Sequence, residues 1–273
     1  MHWKNFFKEL ILFLAVQLLG IWVSYSFVSY LPSENLSKVE FNFGFGDLIV
    51  FVIIIGAFVL IGRHSPLRRA ILYKTFFAII LFVGVQTVLA LWLNVSLSTI
   101  LSILLIYALF KTKKVWIHNL AVVLALAGIG GTFGASLTPL NAVFILVILS
   151  FYDIVAVYKT KHMVQMAEDM IRSRAIFGVV LPSGRGWFES LENVKPGGQF
   201  MILGSGDIAL PLILIASIVR TNIFHSFLVL AFSMAGLLIT HILFVRQKER
   251  KPMAALPPIA TMSIVGYLVS TLI

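Results

Sequence analysis

The chain contains no cysteine, and only 12% of its 273 residues are charged. The missing cysteine excludes disulfides, thiolate nucleophiles and Cys-ligated metal. Six histidines are scattered along the chain without a His-Glu-x-x-His spacing, which argues against an intramembrane zinc protease. No internal repeat is visible. Acidic residues are scarce as well, eleven against 21 Lys and Arg.

What fills the chain is apolar surface. Hydrophobic residues make up 60%, mean hydropathy is +1.01, and soluble domains carry only about 45–50% apolar residues. Apolar runs of roughly 17–25 residues are the length that crosses a bilayer as helix. Nine such spans are expected, near 6–30, 47–62, 75–93, 95–110, 116–135, 139–158, 200–219, 222–244 and 254–272. The 75–110 run is almost unbroken, yet as one helix it would measure about 54 Å, too long for a core of about 30 Å. Asn94, Ser96 and Ser98 mark the turn that divides it.

Charge supports the division. With nine spans, 19 of the 21 basic residues fall on one side, leaving only Lys38 and Arg220 on the other. Basic loops stay cytoplasmic, so a cell-membrane protein with a cytoplasmic N-terminus and an extracellular C-terminus is expected. The first run lacks a small-residue cleavage signature and is expected to stay as a span. The net charge of +10 is then explained by topology and anionic headgroups in the lipid bilayer, not by nucleic acid. The fold class is an all-α polytopic membrane protein, one domain over 1–273. A five-helix scaffold over 1–135 precedes helices six to nine over 139–273, with a cytoplasmic loop at 159–198.

Two carboxylates stand out. Asp153 follows Tyr152 in the sixth span, and Asp207 ends Gly204-Ser205-Gly206-Asp207 in the seventh. By this reading they are the only acidic residues well inside apolar spans, Asp47 lying at a span edge. An ionised carboxylate in a bilayer costs a few kcal/mol or more, so such residues usually face the bundle interior and serve function. Asp153 lies about 8 Å short of the cytoplasmic end of its span and Asp207 about 10 Å from the same side. Two antiparallel helices thus bring both carboxylates to one depth.

Like charges at close range cannot both ionise easily, so one carboxyl holds a proton while the other acts as base. The base activates water, the water attacks a peptide carbonyl, and the protonated partner donates to the carbonyl oxygen. No metal or cofactor is required. Gly204 and Gly206 leave room for another backbone and permit local unwinding, although a close helix contact needs glycine equally.

At these residues the chain resembles the presenilin and signal peptide peptidase family of intramembrane aspartyl proteases, most closely a microbial, archaeal-type presenilin homologue. Tyr152-Asp153 matches the family's sixth-helix motif and Gly204-Ser205-Gly206-Asp207 its Gly-x-Gly-Asp. Ala255-Leu256-Pro257 matches the core of its Pro-Ala-Leu motif, with Ala254 where the leading proline belongs. The resemblance implies Asp153 and Asp207 as catalytic residues. It implies Tyr152, Gly204, Gly206, Ala255, Leu256 and Pro257 beside the substrate. It also implies a substrate-pairing strand near Gln199 to Ile202, with Gln199 and Met201 touching substrate. The implied substrates are single-span membrane proteins, with no obligatory protein cofactor.

Other readings are weighed against it. Paired intramembrane carboxylates also build proton- or cation-coupled transporters and channels, whose sites sit near the midplane of inverted repeats. Prepilin and preflagellin peptidases share Gly-x-Gly-Asp but not the other two motifs. Gly134-Ala135-Ser136-Leu137 resembles a rhomboid serine motif, but His241, the conceivable base, belongs to the opposite side of the membrane. Gly128, Gly130, Gly131 and Gly134 read as a close-packing surface. In the loop, Met163, Met166, Met170 and Ile171 recur near helical spacing and predict a surface amphipathic helix. Ile176 to Leu181 is β-prone, and Pro182-Ser183-Gly184 reads as a turn. Pro257 and Pro258 predict a non-helical segment at Ala255-Leu256-Pro257.

Overall fold

A computed structural model of the protein describes residues 2–30, 66–160, 162–182, 186–194, 200–247 and 252–273. The expected span at 47–62 and the substrate contact Gln199 lie outside the described residues. Helix α1 is His2–Tyr30, α2 Pro66–Leu89, α3 Val95–Thr112, α4 Val115–Ala135 and α5 Pro139–Ile154. A π-turn at Val155–Lys159 follows α5, and α6 is His162–Ser173. Then come β1 (Gly178–Pro182), β2 (Phe200–Gly204), α7 (Ser205–Ile218), α8 (Ile223–Val245) and α9 (Leu256–Leu272). Among the described residues, six helices are long and apolar enough to cross a membrane; α7 and α9 are shorter apolar helices.

Helix starts follow local chemistry. The Asn94 side chain accepts from the Leu97 N–H at 2.9 Å, so the 75–110 run breaks where its polar residues lie. Thr138 caps α5 through the Asn141 N–H, with Pro139 in the first turn, and Asn222 caps α8 through the Phe224 N–H. Each cap satisfies an amide that the first helical turn leaves unpaired.

Helix α4 is the hub, packed against α1, α2, α3, α7 and β1. Its glycines make this possible, as expected from sequence. A Cβ on Gly128 would strike the Gly84 backbone on α2, and one on Gly131 would lie 2.6 Å from the Gly20 carbonyl on α1. On α7, Gly130 and Gly134 face Leu212 and Ile213. Around this hub Phe13, Leu81, Ile208 and Leu212 are fully buried.

In the loop between α5 and α7 the expected helix forms as α6 and the expected strands form β1 and β2, antiparallel with Val180 opposite Ile202, while the expected turn at Pro182-Ser183-Gly184 lies largely outside the described residues. One expectation needs correction. The seventh membrane helix is expected to begin at residue 200, but residues 200–204 form β2, and the helix starts only at Ser205. Farther along the loop, Glu192 receives Lys113 and Arg174 at 3.0 Å each, tying it to the ends of α3 and α6. The Lys113 hydrogen bond, then the charges of Arg174 and Lys113, hold the Glu192 carboxyl below the usual carboxylate range.

Candidate active site

Asp153 sits in the last turn of α5, just before the helix widens at Val155–Lys159. There the Thr160 N–H reaches back five residues to the Val155 carbonyl at 3.0 Å, a local widening that recurs at functional sites. Asp153 is buried, 5% exposed. Its carboxylate accepts the Leu256 N–H from the start of α9. Its Oδ2 is buried without a hydrogen-bond partner among the described residues.

Asp207 is the third residue of α7, and Gly204 is the N-cap. The carboxylate reaches back to accept the Gly204 N–H, the acidic half of a capping box. The same turn explains the first motif glycine. A Cβ on Gly204 would lie 3.0 Å from Asp207 Oδ2, whereas a Cβ on Gly206 would meet nothing within 4 Å. Pro211, four residues on, offers no N–H to the Asp207 carbonyl, which loosens this first turn. The two carboxylates, 54 positions apart in sequence, lie close enough to interact electrostatically.

These contacts separate the two glycines functionally. Gly204→Ala is expected to displace Asp207 and lower kcat by about 100-fold, since small misplacements of a reacting group cost that much. Gly206→Ala adds a methyl only to open space, so its expected effect is a raised KM with Tm unchanged. Equal kinetics for the two variants would contradict this division.

The sheet beside the aspartates has one sealed edge. Asn119 on α4 donates to the Val180 carbonyl at 2.7 Å and accepts its N–H at 2.8 Å. His118 Nε2–H donates to the Gly178 carbonyl at 2.9 Å, and Lys8 Nζ to that of Pro182 at 2.7 Å. Gly178, Val180 and Pro182 thus turn their polar groups away from β2. In an antiparallel ladder their partners Gly204, Ile202 and Phe200 turn theirs the other way, toward the edge of β2 that has no strand partner among the described residues. The Gly204 N–H is taken by Asp207.

The remaining expected site residues divide. Met201 is half-buried on β2 opposite Leu181. Ala255 caps α9, and its carbonyl accepts Thr240 Oγ1 at 3.3 Å. Leu256 is buried and Pro257 half-buried. Tyr152 is 56% exposed despite its neighbour's burial. Two expectations are overturned. Leu256 and Pro257 are helical, because prolines in a first turn lack only amides that have no helical partner there. And Asp153 and Asp207 are not the only acids inside spans: Glu9 is 2% exposed within α1.

Sequence reasoning passes over Glu9 because Lys4 and Lys8 make that end of the run look polar. A signal is present. Glu9, Gln17 and Ser24 recur at two-turn spacing along one helix face. Gln17 Nε2 donates to the Ile208 carbonyl at 3.0 Å and Ser24 Oγ to that of Ala216 at 2.9 Å, so this face binds α7. His241, considered only as a serine base, pairs with Glu9 at 2.9 Å, while Ser136 bonds the Thr132 carbonyl of its own helix.

The profile of the family described as signal-peptide peptidase, presenilin aspartyl protease matches residues 10–273. The chain belongs to that family. The solved structures of a presenilin family intramembrane aspartate protease share the fold of this presenilin-family chain. In the C222 space group the identity is 22%, the TM-score 0.62, and the match covers 98% of each chain. In the P2 space group the identity is 22% and the TM-score 0.61, over 97% of this chain and 96% of the other. No curated protein matches the chain.

Proposed function

We propose that this family member hydrolyses peptide bonds within the transmembrane segments of single-span membrane proteins, as a Gly-x-Gly-Asp aspartic endopeptidase. The observation that carries the reading is that Asp153 and Asp207 lie within electrostatic reach of each other, with Asp207 three residues past the end of β2. A buried pair of like charges retains one proton. The ionised member takes a proton from water, whose oxygen attacks the scissile carbonyl. The protonated member donates to the carbonyl oxygen. On collapse the first aspartate passes the proton taken from water to the departing amine nitrogen, while the second takes a proton back from the diol. The carboxyl and amine products form and the pair is restored.

A transmembrane helix protects its amides by internal hydrogen bonds and must unwind to be cut. An unwound segment gains main-chain partners by adding to a sheet edge. Here Phe200 and Ile202 offer outward N–H and C=O groups, and Gly204 a C=O, a few residues before Asp207. Gly206 leaves space beside it, while Leu256 fixes Asp153 through its amide. Residues 1–135 form the scaffold and 139–273 carry the catalytic groups.

The test is incubation of purified protein with a panel of single-span membrane proteins and mass mapping of the products. Cuts inside the span are expected. A panel left uncut, or cut only outside the span, refutes the reading. We further place α6 on the cytoplasmic side and the α7–α8 turn outside. Cysteines introduced at exposed Arg172 and Thr221 are then expected to label from opposite faces of sealed vesicles, and labelling from one face would overturn this topology.

A further inference from the structure

We propose that Asn119 determines which peptide bond of a bound segment is cut, by fixing β1 and, through it, the placement of β2 against Asp207. This role presupposes the protease reading, whereas the anchoring behind it does not. Asn119 is 2% exposed on α4 and directs both ends of its amide to one residue. Nδ2 donates to the Val180 carbonyl at 2.7 Å, and Oδ1 accepts the Val180 N–H at 2.8 Å. A neighbouring antiparallel strand would exchange the same two bonds; here a helix side chain makes them. His118, fully buried one position earlier, adds a bond to the Gly178 carbonyl at 2.9 Å and stacks on the Phe77 ring at 5.7 Å.

β1 needs this anchor because its own sequence does not choose a register. All five residues of Gly178–Pro182 are buried, so neither face is marked as the solvent side, and the alternation that normally sets register is missing. A slip by one residue would turn the Val180 peptide groups away and leave the buried Asn119 amide unmet, a costly state. A slip by two toward the end of the strand would bring up Pro182, which has no N–H for Oδ1. The strand then passes its position on. Val180 stands opposite Ile202 and Gly178 opposite Gly204. The Phe177 carbonyl accepts the Ser205 N–H at 3.1 Å, in the first turn of the helix that carries Asp207. About 16 Å farther along α4, Gly130 and Gly134 pack on Leu212 and Ile213 of that same helix. One helix therefore holds both the sheet and the aspartate, and fixes the reach from β2 to the carboxyl. Without that hold β2 is free to tilt at Gly204, where strand gives way to helix, and a guest lying on it tilts as well. Adjacent bonds of an extended guest are only about 3.4 Å apart, so a small displacement brings a different one to the aspartates. Asn119 itself touches no substrate and is a positioning residue.

The experiment compares full-length wild type, Asn119→Leu, Asn119→Asp and Leu230→Ala in lipid nanodiscs. Each is given one single-span substrate, and the products are mapped by mass. Leucine keeps the bulk of Asn119 without either bond. Aspartate keeps the acceptor for the Val180 N–H and lacks the donor, so it carries the test if the leucine variant fails to fold. Leu230→Ala truncates a buried side chain of α8 in the cluster of Leu214 and Ile218 and measures what lost stability does alone. In the Asn119 variants, cleavage at the principal wild-type bond is expected to fall about 10-fold or more per folded molecule, with new cuts at neighbouring bonds. Leu230→Ala is expected to lower Tm and keep the product pattern. Asn119 variants that cut every bond in wild-type proportion, whatever their Tm or rate, overturn the proposal. A second readout needs no turnover. The Met201 and Leu203 amides face β1, and their hydrogen exchange is expected to quicken about 10-fold or more in Asn119→Leu relative to α7; unchanged protection overturns the anchoring. If wild type cut nothing, the protease reading would fall while exchange still decided whether Asn119 holds the sheet.

Discussion

Asp153→Asn and Asp207→Asn are each expected to abolish intramembrane cleavage, with residual activity at least about 1,000-fold below wild type. Each substitution removes one member of the acid–base pair while keeping its shape. The new side-chain amide in Asp153→Asn still offers an oxygen to the Leu256 N–H, and that in Asp207→Asn still offers one to the Gly204 N–H. Neither variant therefore loses a main-chain contact. Each also removes a carboxylate from the neighbourhood of another, so Tm is expected at or above the wild-type value. Wild-type cleavage by either single variant would refute the dyad. A fall in Tm to match the lost activity would show that the aspartates hold the fold together instead of performing chemistry.

Leu256→Arg is the second large effect. Leu256 is 3% exposed in a cluster with Leu146, Ile213 and Leu214, and its amide is bonded to Asp153. A guanidinium introduced there would pair with the two carboxylates and hold both ionised, leaving no acid to protonate the carbonyl oxygen. Cleavage is expected to fall more than about 100-fold. Packing is the competing explanation, and Leu256→Ala measures it. A truncated buried leucine costs about 2–5 kcal/mol but leaves the amide and the charge balance intact. Leu256→Ala should therefore lose stability while retaining most of its cleavage per folded molecule, and Leu256→Arg should lose cleavage far beyond its change in Tm. If the arginine variant cleaved like wild type, Leu256 would have no part in the chemistry.

The aspartates are legible in sequence because a lone acid deep in an apolar run has few structural uses. Asn94 is legible for a related reason, since a cap is a local event within three residues. By its apolar run alone Phe200–Gly204 reads as membrane helix, since five apolar residues suit either state; only the family resemblance points to a strand near Gln199 to Ile202. What decides it is a partner 22 residues upstream, itself pinned by Asn119 from a different helix. Pro257 and Pro258 mislead in the opposite way. A rule for helix interiors does not govern a first turn, where proline is at home. Glu9 escapes notice because its partner lies 232 residues away, a separation that no local pattern reports.

The sealed edge of β1 has a consequence for traffic through the enzyme. Asn119, His118 and Lys8 already occupy the outward groups of that strand, so under the proposed pairing of substrate with the sheet only the β2 side is left for a guest. Any two extended segments presented to it, whether rival substrates or a cut fragment and its successor, exclude each other. A fragment that stays paired after the cut blocks the next arrival, so turnover depends on how readily the product leaves the strand as well as on how fast the bond breaks. Under that proposal, release from β2 gates the whole cycle, set by the length of the segment left lying on it.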